Sequence, residues 1–464
     1  MRFVGLFLVF CSLPVFYELL RTNPRYRRYA WFGVGVLPFT MGWLNLDAAV
    51  ISWAAWPGHT KGLLVSVLDT LALALLLTTR DRSDARPLLW LFLAYMAACC
   101  FSMLFSGVTQ PGVFYVWQIV RMVVIFLAVS KAAVSPTARG YVLAGLAAGA
   151  VFQAVLCLDQ RLHGITQASG SMGHRNLLGM TMHFVMFPCL ALLLTQGMKR
   201  TAVLGLAASA IVVVLGGSRA TIGLAGAGVV LMIVLSIARR PTARKTTAAA
   251  AVLLGLAVAT PIALATLQAR YAEAPIENGG YDERAAFERA AMAIWSDYPM
   301  GAGPNQYVIK ANAGGYSERA GVIWNFGSRS AHVHNSYLLV AAETGYLGLA
   351  TFVALLAGVV LTGFRLAWSR RADPVGDLAL GLAMTALIVS VHSLYEWVTV
   401  TSAVEHLFAI CAGLIAGIHK ERRIAAVDQR RARRIMRAAQ PVMAGGPVPT
   451  ASAATDGLVV KSPR

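Results

Sequence analysis

The stretch from Ser328 to Gly348, SRSAHVHNSYLLVAAETGYLG, places His332, His334, Asn335 and Ser336 directly before an apolar helix. Imidazole accepts and returns a proton near neutral pH more readily than other side chains, so His334 is a candidate general base. Asn335 and Ser336 begin the helix. Unpaired N–H groups at a helix N-terminus attract anions, which makes Asn335 a candidate contact for phosphate oxygens. Four arginines supply matching charge. Arg219 lies in Gly216-Gly217-Ser218-Arg219, a very short turn between apolar spans where a cation is costly without an anionic partner. Arg284 and Arg289 lie about one helical turn apart, and Arg175 opens another span in Gly173-His174-Arg175-Asn176. Guanidinium groups bind phosphates through paired donors and keep their charge, so a diphosphate suits this set.

Simpler roles compete with these. A single arginine at a helix end usually anchors that helix at the interface, which ranks Arg175 and Arg289 below Arg219 and Arg284. His332 and His334 as alternate residues diverge once the chain is helical, and no third ligand stands at metal spacing. His392 and Glu396, with Glu405 and His406 after them, read as a structural hydrogen-bond cluster at an outer turn. No DxD sequence is present, so neither a metal nor a cofactor is expected. On helical spacing His334, Ala341, Gly345 and Gly348 share one stripe, whose small residues would let another helix pack beneath the histidine; Glu343 faces the other way.

The elements that must carry these groups follow from composition. Of 464 residues, 57% are hydrophobic and 13% charged, too few polar groups to cover a soluble surface. Apolar stretches near the ~20 residues that cross a bilayer recur. They fall near 3–20, 29–46, 62–79, 87–106, 113–131, 140–158, 176–195, 201–217, 220–238, 246–266, 334–362, 376–398 and 403–419. The fold class is therefore all-α, a polytopic membrane helical bundle with about twelve or thirteen spans by this patterning. Pro14 leaves open whether 3–20 crosses fully. The six cysteines all lie in apolar spans and read as small hydrophobes.

Arg and Lys gather in alternate loops: Arg21 to Arg28, Arg80 to Arg86, Lys131 to Arg139, Lys199–Arg200, Arg239 to Lys245, Arg365 to Arg371, and the tail from Lys420. The positive-inside rule makes these loops cytoplasmic, which locates the net charge of +19 there and removes nucleic acid as its explanation. The long outer loop holds seven acids (Glu273, Glu277, Asp282, Glu283, Glu288, Asp297, Glu318) against six bases. Residues 1–266 thus form about ten candidate spans, 267–333 an outer loop with a helix from Tyr281 to Trp295, 334–419 the C-terminal spans, and 420–464 a basic, partly disordered tail.

Three stretches in this order, GGSRAT with Arg219, DERAAFERAAMAIWSDYPMGAGPNQY with Arg284 and HNSYLLVAAETGYLGLA with His334, resemble the O-antigen ligase family of bacterial envelopes. The resemblance covers most of 170–362, with GHRN around Arg175 departing from the family pattern. It implies a GT-C-like glycosyltransferase architecture in the inner membrane with a periplasmic active site. It also implies transfer of glycan from an undecaprenyl diphosphate-linked donor to a sugar hydroxyl of a lipid A-core acceptor. Within that implication His334 is the base, Arg219 and Arg284 clamp the diphosphate, and Arg289, Arg175 and Asn335 are further substrate contacts. Direct displacement would invert the anomeric centre. The superfamily also contains O-antigen polymerases and protein O-oligosaccharyltransferases; a glycolipid transporter is a third alternative, although internal repeats and interrupted midplane helices are not evident.

Overall fold

The computed structural model describes residues 2–80, 87–195, 199–273 and 282–439. Arg82 and Arg86 of one basic loop, Glu277 and Tyr281 of the outer loop, and the tail from 440 lie outside the described residues. The chain forms two compact units, Met1–Glu421 and Arg422–Arg464. Described residues 422–439 of the second are helical and rich in arginine.

The first unit opens with α1 (Arg2–Thr22) and α2 (Arg27–Thr40), followed by strands β1 (Asp47–Ser52) and β2 (Gly62–Ser66). Next come α3 (Val67–Thr78), α4 (Leu89–Ser102), α5 (Gln110–Ala132) and α6 (Pro136–Leu162). The middle is α7 (Arg175–Leu194), α8 (Lys199–Gly216), α9 (Arg219–Arg239) and α10 (Ala243–Glu273). Four loop helices follow: α11 (Glu283–Asp297), α12 (Tyr307–Ala313), α13 (Tyr316–Arg319) and α14 (Phe326–Arg329). The chain then returns through α15 (Ser336–Ser369), α16 (Pro374–His392) and α17 (Ser402–Ala439).

Among the described residues nine helices are long and apolar enough to cross a membrane: α1, α5, α6, α7, α9, α10, α15, α16 and α17. The other expected spans are helical but short. Helix α2 has 14 residues and ends where the chain turns through Asn45, at φ +49°. Helix α3 starts late because Gly62–Ser66 is strand β2, paired antiparallel to β1 from Asp47↔Ser66 to Ser52↔Gly62. Ser66 and Asp69 then close a capping box that fixes the first turn of α3. The hairpin is the departure from an all-α chain. Helix α1 passes through Pro14 without a break and is long enough to cross.

Helix α7 is central, with 89% of its apolar window buried, whereas α10 is peripheral at 11%. Helices α2 and α6 meet through Gly35 and Gly145, where an added Cβ would strike Val142 O at 2.2 Å and Phe32 O at 2.1 Å. Small residues of this kind let backbones touch where lipid offers no hydrophobic drive for association. At the end bearing the basic loops, Asp377 pairs with Arg239 and, at 2.9 Å, with Lys245. Glu421 there receives Arg139 at 2.8 Å and Arg370 at 3.0 Å.

The outer loop rests on α15 through α11, whose Phe287, Ala290, Ala291 and Ile294 are buried. Buried Glu343 accepts the backbone N–H groups of Asn305 at 2.8 Å and Tyr307 at 2.9 Å, and His59 Nε2 lies 3.5 Å away. The carboxylate thereby pins the turn after α11 to α15, well apart from His334. At Gly345, α15 leaves helical geometry, with φ +67° and ψ −165°. The neighbour at Gly345 is not a packed helix but the turn at Pro299, whose carbonyl accepts Tyr346 N–H at 3.0 Å. The small-residue stripe therefore accommodates a loop and a kink.

Candidate active site

The buried carboxylate of Glu396, 2% exposed, lies in the connection between α16 and α17 and gathers side chains from three other segments. Asn176 Nδ2, from the first turn of α7, donates to its Oε1 at 2.6 Å. Arg284 Nη2, from the first turn of α11, donates to the same oxygen at 3.4 Å. His334 Nδ1 meets Oε2 at 3.2 Å.

Local capping aims these groups. Asp282 accepts the N–H of Arg284 at 3.0 Å and of Ala285 at 3.3 Å, so α11 begins at Arg284's turn. His174 caps α7 by accepting Leu177 N–H at 3.3 Å, which sets Asn176 and Arg175 in the first turn. Ser336 ties the start of α15 to the Glu396 connection, its hydroxyl donating to Glu396 O at 2.6 Å and its N–H to Ser393 O at 2.8 Å.

An ionised carboxylate only accepts hydrogen bonds, so the proton of neutral His334 belongs on Nδ1 and Nε2 keeps its lone pair. The ring is 22% exposed and Arg284 53%, so both reach past the buried acid toward the open side. The 3.4 Å contact engages one nitrogen of Arg284, leaving donors for a second anion. Burial lowers the pKa of His174 while Glu396 opposes the shift, leaving a second imidazole beside the first.

A buried carboxylate orienting a base, with arginines around it, serves transfer to an acceptor hydroxyl as an anionic group leaves. Residues 204–353 match the family model described as O-Antigen ligase. That match places the similarity to the O-antigen ligase/polymerase superfamily in residues 204–353, about a third of the chain. No curated protein gives a match. The matched residues include Arg219, Arg284 and His334, while Asn176 and Glu396 lie outside them.

The remaining candidates separate. Arg175 is the first residue of α7, beside Asn176, which donates to Glu396. Arg219, exposed at the start of α9, is two residues from Thr221; an added Cβ at Gly179, one turn into α7, would meet Thr221 Oγ1 at 2.5 Å. The N-terminal turns of α7 and α9, and hence Arg175 and Arg219, share one end of the bundle. Arg289 points elsewhere, donating to Ala320 O at 3.0 Å.

Asn335 caps α15. Its Oδ1 accepts the N–H of Tyr337 at 3.0 Å and of Leu338 at 3.2 Å, and Ser336 N–H is also engaged, so the backbone donors of the first turn of α15 are used within the protein. The residues expected to cluster with Glu396 disperse. His392 Nδ1 meets His183 Nε2 at 3.2 Å, and Glu405 accepts Gln118 at 2.8 Å. Among the described residues no three His, Cys, Asp or Glu side chains converge as metal ligands would. Glu396 and Asn176 are the members of this candidate site that sequence reasoning did not assign to it. The signal for Glu396 was available, since an acid in a short turn between spans carries the same cost that singled out Arg219.

Proposed function

We propose that the protein is an O-antigen ligase: an inverting, metal-independent glycosyltransferase moving O-antigen polysaccharide from undecaprenyl diphosphate to a lipid A-core sugar hydroxyl on the periplasmic face. The observation carrying this reading is that buried Glu396 bonds His334 Nδ1 and Arg284 together. His334 Nε2 takes the acceptor hydroxyl proton as the oxygen attacks the anomeric carbon. The bond from that carbon to the diphosphate oxygen breaks, and undecaprenyl diphosphate leaves with the electron pair. Glu396 stabilises the imidazolium that forms, as a carboxylate behind a catalytic histidine does. Arg284, Arg175 and Arg219 offset the charge growing on the diphosphate.

An apolar cavity of about 520 Å³ between α7, α8, α9 and α10 supports a lipid-borne donor. It is lined by Met186, Leu206, Ile222, Val229, Val252 and Leu256, and Ile222 lies one helical turn from Arg219. A prenyl chain there would bring its diphosphate toward the arginine, and the sparsely buried α10 suits lateral entry from lipid.

The test is the lipopolysaccharide of a strain lacking the gene, complemented by wild type or His334→Ala. The ligase reading expects bare lipid A-core in the deletion and in His334→Ala, with long chains restored by wild type. Core carrying a single repeat would identify a polymerase instead.

A further inference from the structure

A second cavity lies at the other end of the bundle, among the basic loops and away from Glu396. It encloses about 1270 Å³ where the α1–α2 junction, the end of α3 and the α5–α6 junction meet. Five bases line it: Arg25, Arg27, Arg28, Arg80 and Lys131. Neighbouring bases at this end each have a carboxylate partner, Arg139 and Arg370 sharing Glu421, and Arg239 and Lys245 sharing Asp377. Among the described residues no carboxylate pairs with any of the five. The adjoining residues 81–86 contain two aspartates and two arginines and add no net charge in sequence. Arg27 Nε and Thr79 Oγ1 are buried there without a hydrogen-bond partner.

Concentrated uncompensated charge with buried donors calls for an anion. The rim indicates its source. Tyr26 and Tyr29 are 42% and 58% exposed beside the cavity, and Arg28 lies 4.6 Å over the Tyr29 ring. Exposed tyrosines next to cations mark the headgroup level of a bilayer, and basic pockets between membrane helices on the cytoplasmic side accept phospholipid headgroups. We propose that this cavity binds the phosphodiester headgroup of an anionic phospholipid from the leaflet that the basic loops face. Its size and five cations suit a headgroup with two phosphates, as in cardiolipin.

The test uses the full-length protein in detergent, with cardiolipin, phosphatidylethanolamine and inorganic pyrophosphate as probes, read by native mass spectrometry and Tm. Arg27 and Lys131 also donate to carbonyls at the end of α3, Thr78 O at 3.0 Å and Leu76 O at 3.1 Å, so their loss would confuse binding with folding. The informative variant is Arg25→Gln/Arg28→Gln/Arg80→Gln, which spares those bonds. Wild type should retain cardiolipin over phosphatidylethanolamine and gain Tm from it. The triple variant should bind cardiolipin on the order of 10²-fold more weakly, with its Tm in the absence of lipid preserved. Equal retention by variant and wild type, or no preference over phosphatidylethanolamine, overturns the proposal. Pyrophosphate raising Tm as much as cardiolipin overturns the lipid assignment in favour of a soluble phosphate site.

Discussion

Glutamine at position 396 would keep the shape of the side chain and remove its charge, which isolates what the carboxylate does for His334. The amide can donate as well as accept, so it no longer dictates the proton on Nδ1 and cannot stabilise an imidazolium. Glu396→Gln should lower kcat for glycan transfer by about 10²-fold or more, and His334→Ala by about 10²- to 10⁴-fold, both with folding preserved. Near-normal turnover of purified His334→Ala enzyme would remove the base assignment. At Arg219 the question is fork against charge. Arg219→Lys keeps a cation but loses planar paired donors, so it should bind donor partly and lose much of the rate, while Arg219→Ala loses more of both. Full transfer by the lysine variant in reconstituted membranes would reduce Arg219 to an interface anchor. His334, Arg284 and Arg175 were legible because an isolated charge or imidazole in an apolar chain stands out. Glu396 was assigned to His392 on helical spacing, but the chain leaves the helix at Ser393 and the carboxylate turns toward three segments remote in sequence.

Helices and turns hold these side chains in place, and Gly345 is where that support is most exposed to a single change. Its φ of +67° favours glycine, and an added Cβ would meet Pro299 O at 2.2 Å. Gly345→Ala should destabilise by roughly 1–3 kcal/mol or more, seen as a lower Tm together with weaker transfer. An unchanged Tm would mean that the turn at Pro299 yields freely. The kink was invisible to periodicity, since small residues at helical spacing look alike whether a helix or a loop approaches them. His332, in the connection before α15, stacks on Trp397 at 4.4 Å between ring centroids, and burial holds its pKa well below 6.5. The unfolded chain therefore binds more protons than the folded one in this range, so its contribution to stability is complete above about pH 6.5 and is lost as pH falls toward the folded value. His332→Phe keeps the stack without the titration. Its Tm should fall less than that of wild type between roughly pH 7 and pH 5; an identical fall would locate the acid sensitivity elsewhere.

Across the whole molecule, the order of the apolar helices was readable because bilayer thickness acts on each segment separately. Their number was not: twelve or thirteen spans were expected, and among the described residues nine helices are long and apolar enough to cross, the other segments forming shorter helices. The site was readable only in part, because Asn176, Arg284, His334 and Glu396 meet through packing that no local pattern encodes. The arginine-rich surroundings of that site give one expectation for the complete enzyme: transfer from carrier-linked glycan should proceed in excess EDTA. Activity lost to EDTA and restored by Mg²⁺ or Mn²⁺ would replace the guanidinium clamp with a metal and return attention to the acids of the outer loop.

The position of Glu396 also has a consequence for how the protein is made. A ribosome delivers Asn176 first, then Arg284, then His334, and supplies the carboxylate that joins them only near the end of synthesis. An unfinished chain already displays the histidine and the arginine, yet the imidazole has no acid behind it and the arginine has no anchor. On the proposed mechanism the set of groups is therefore complete only once the connection before α17 has been made.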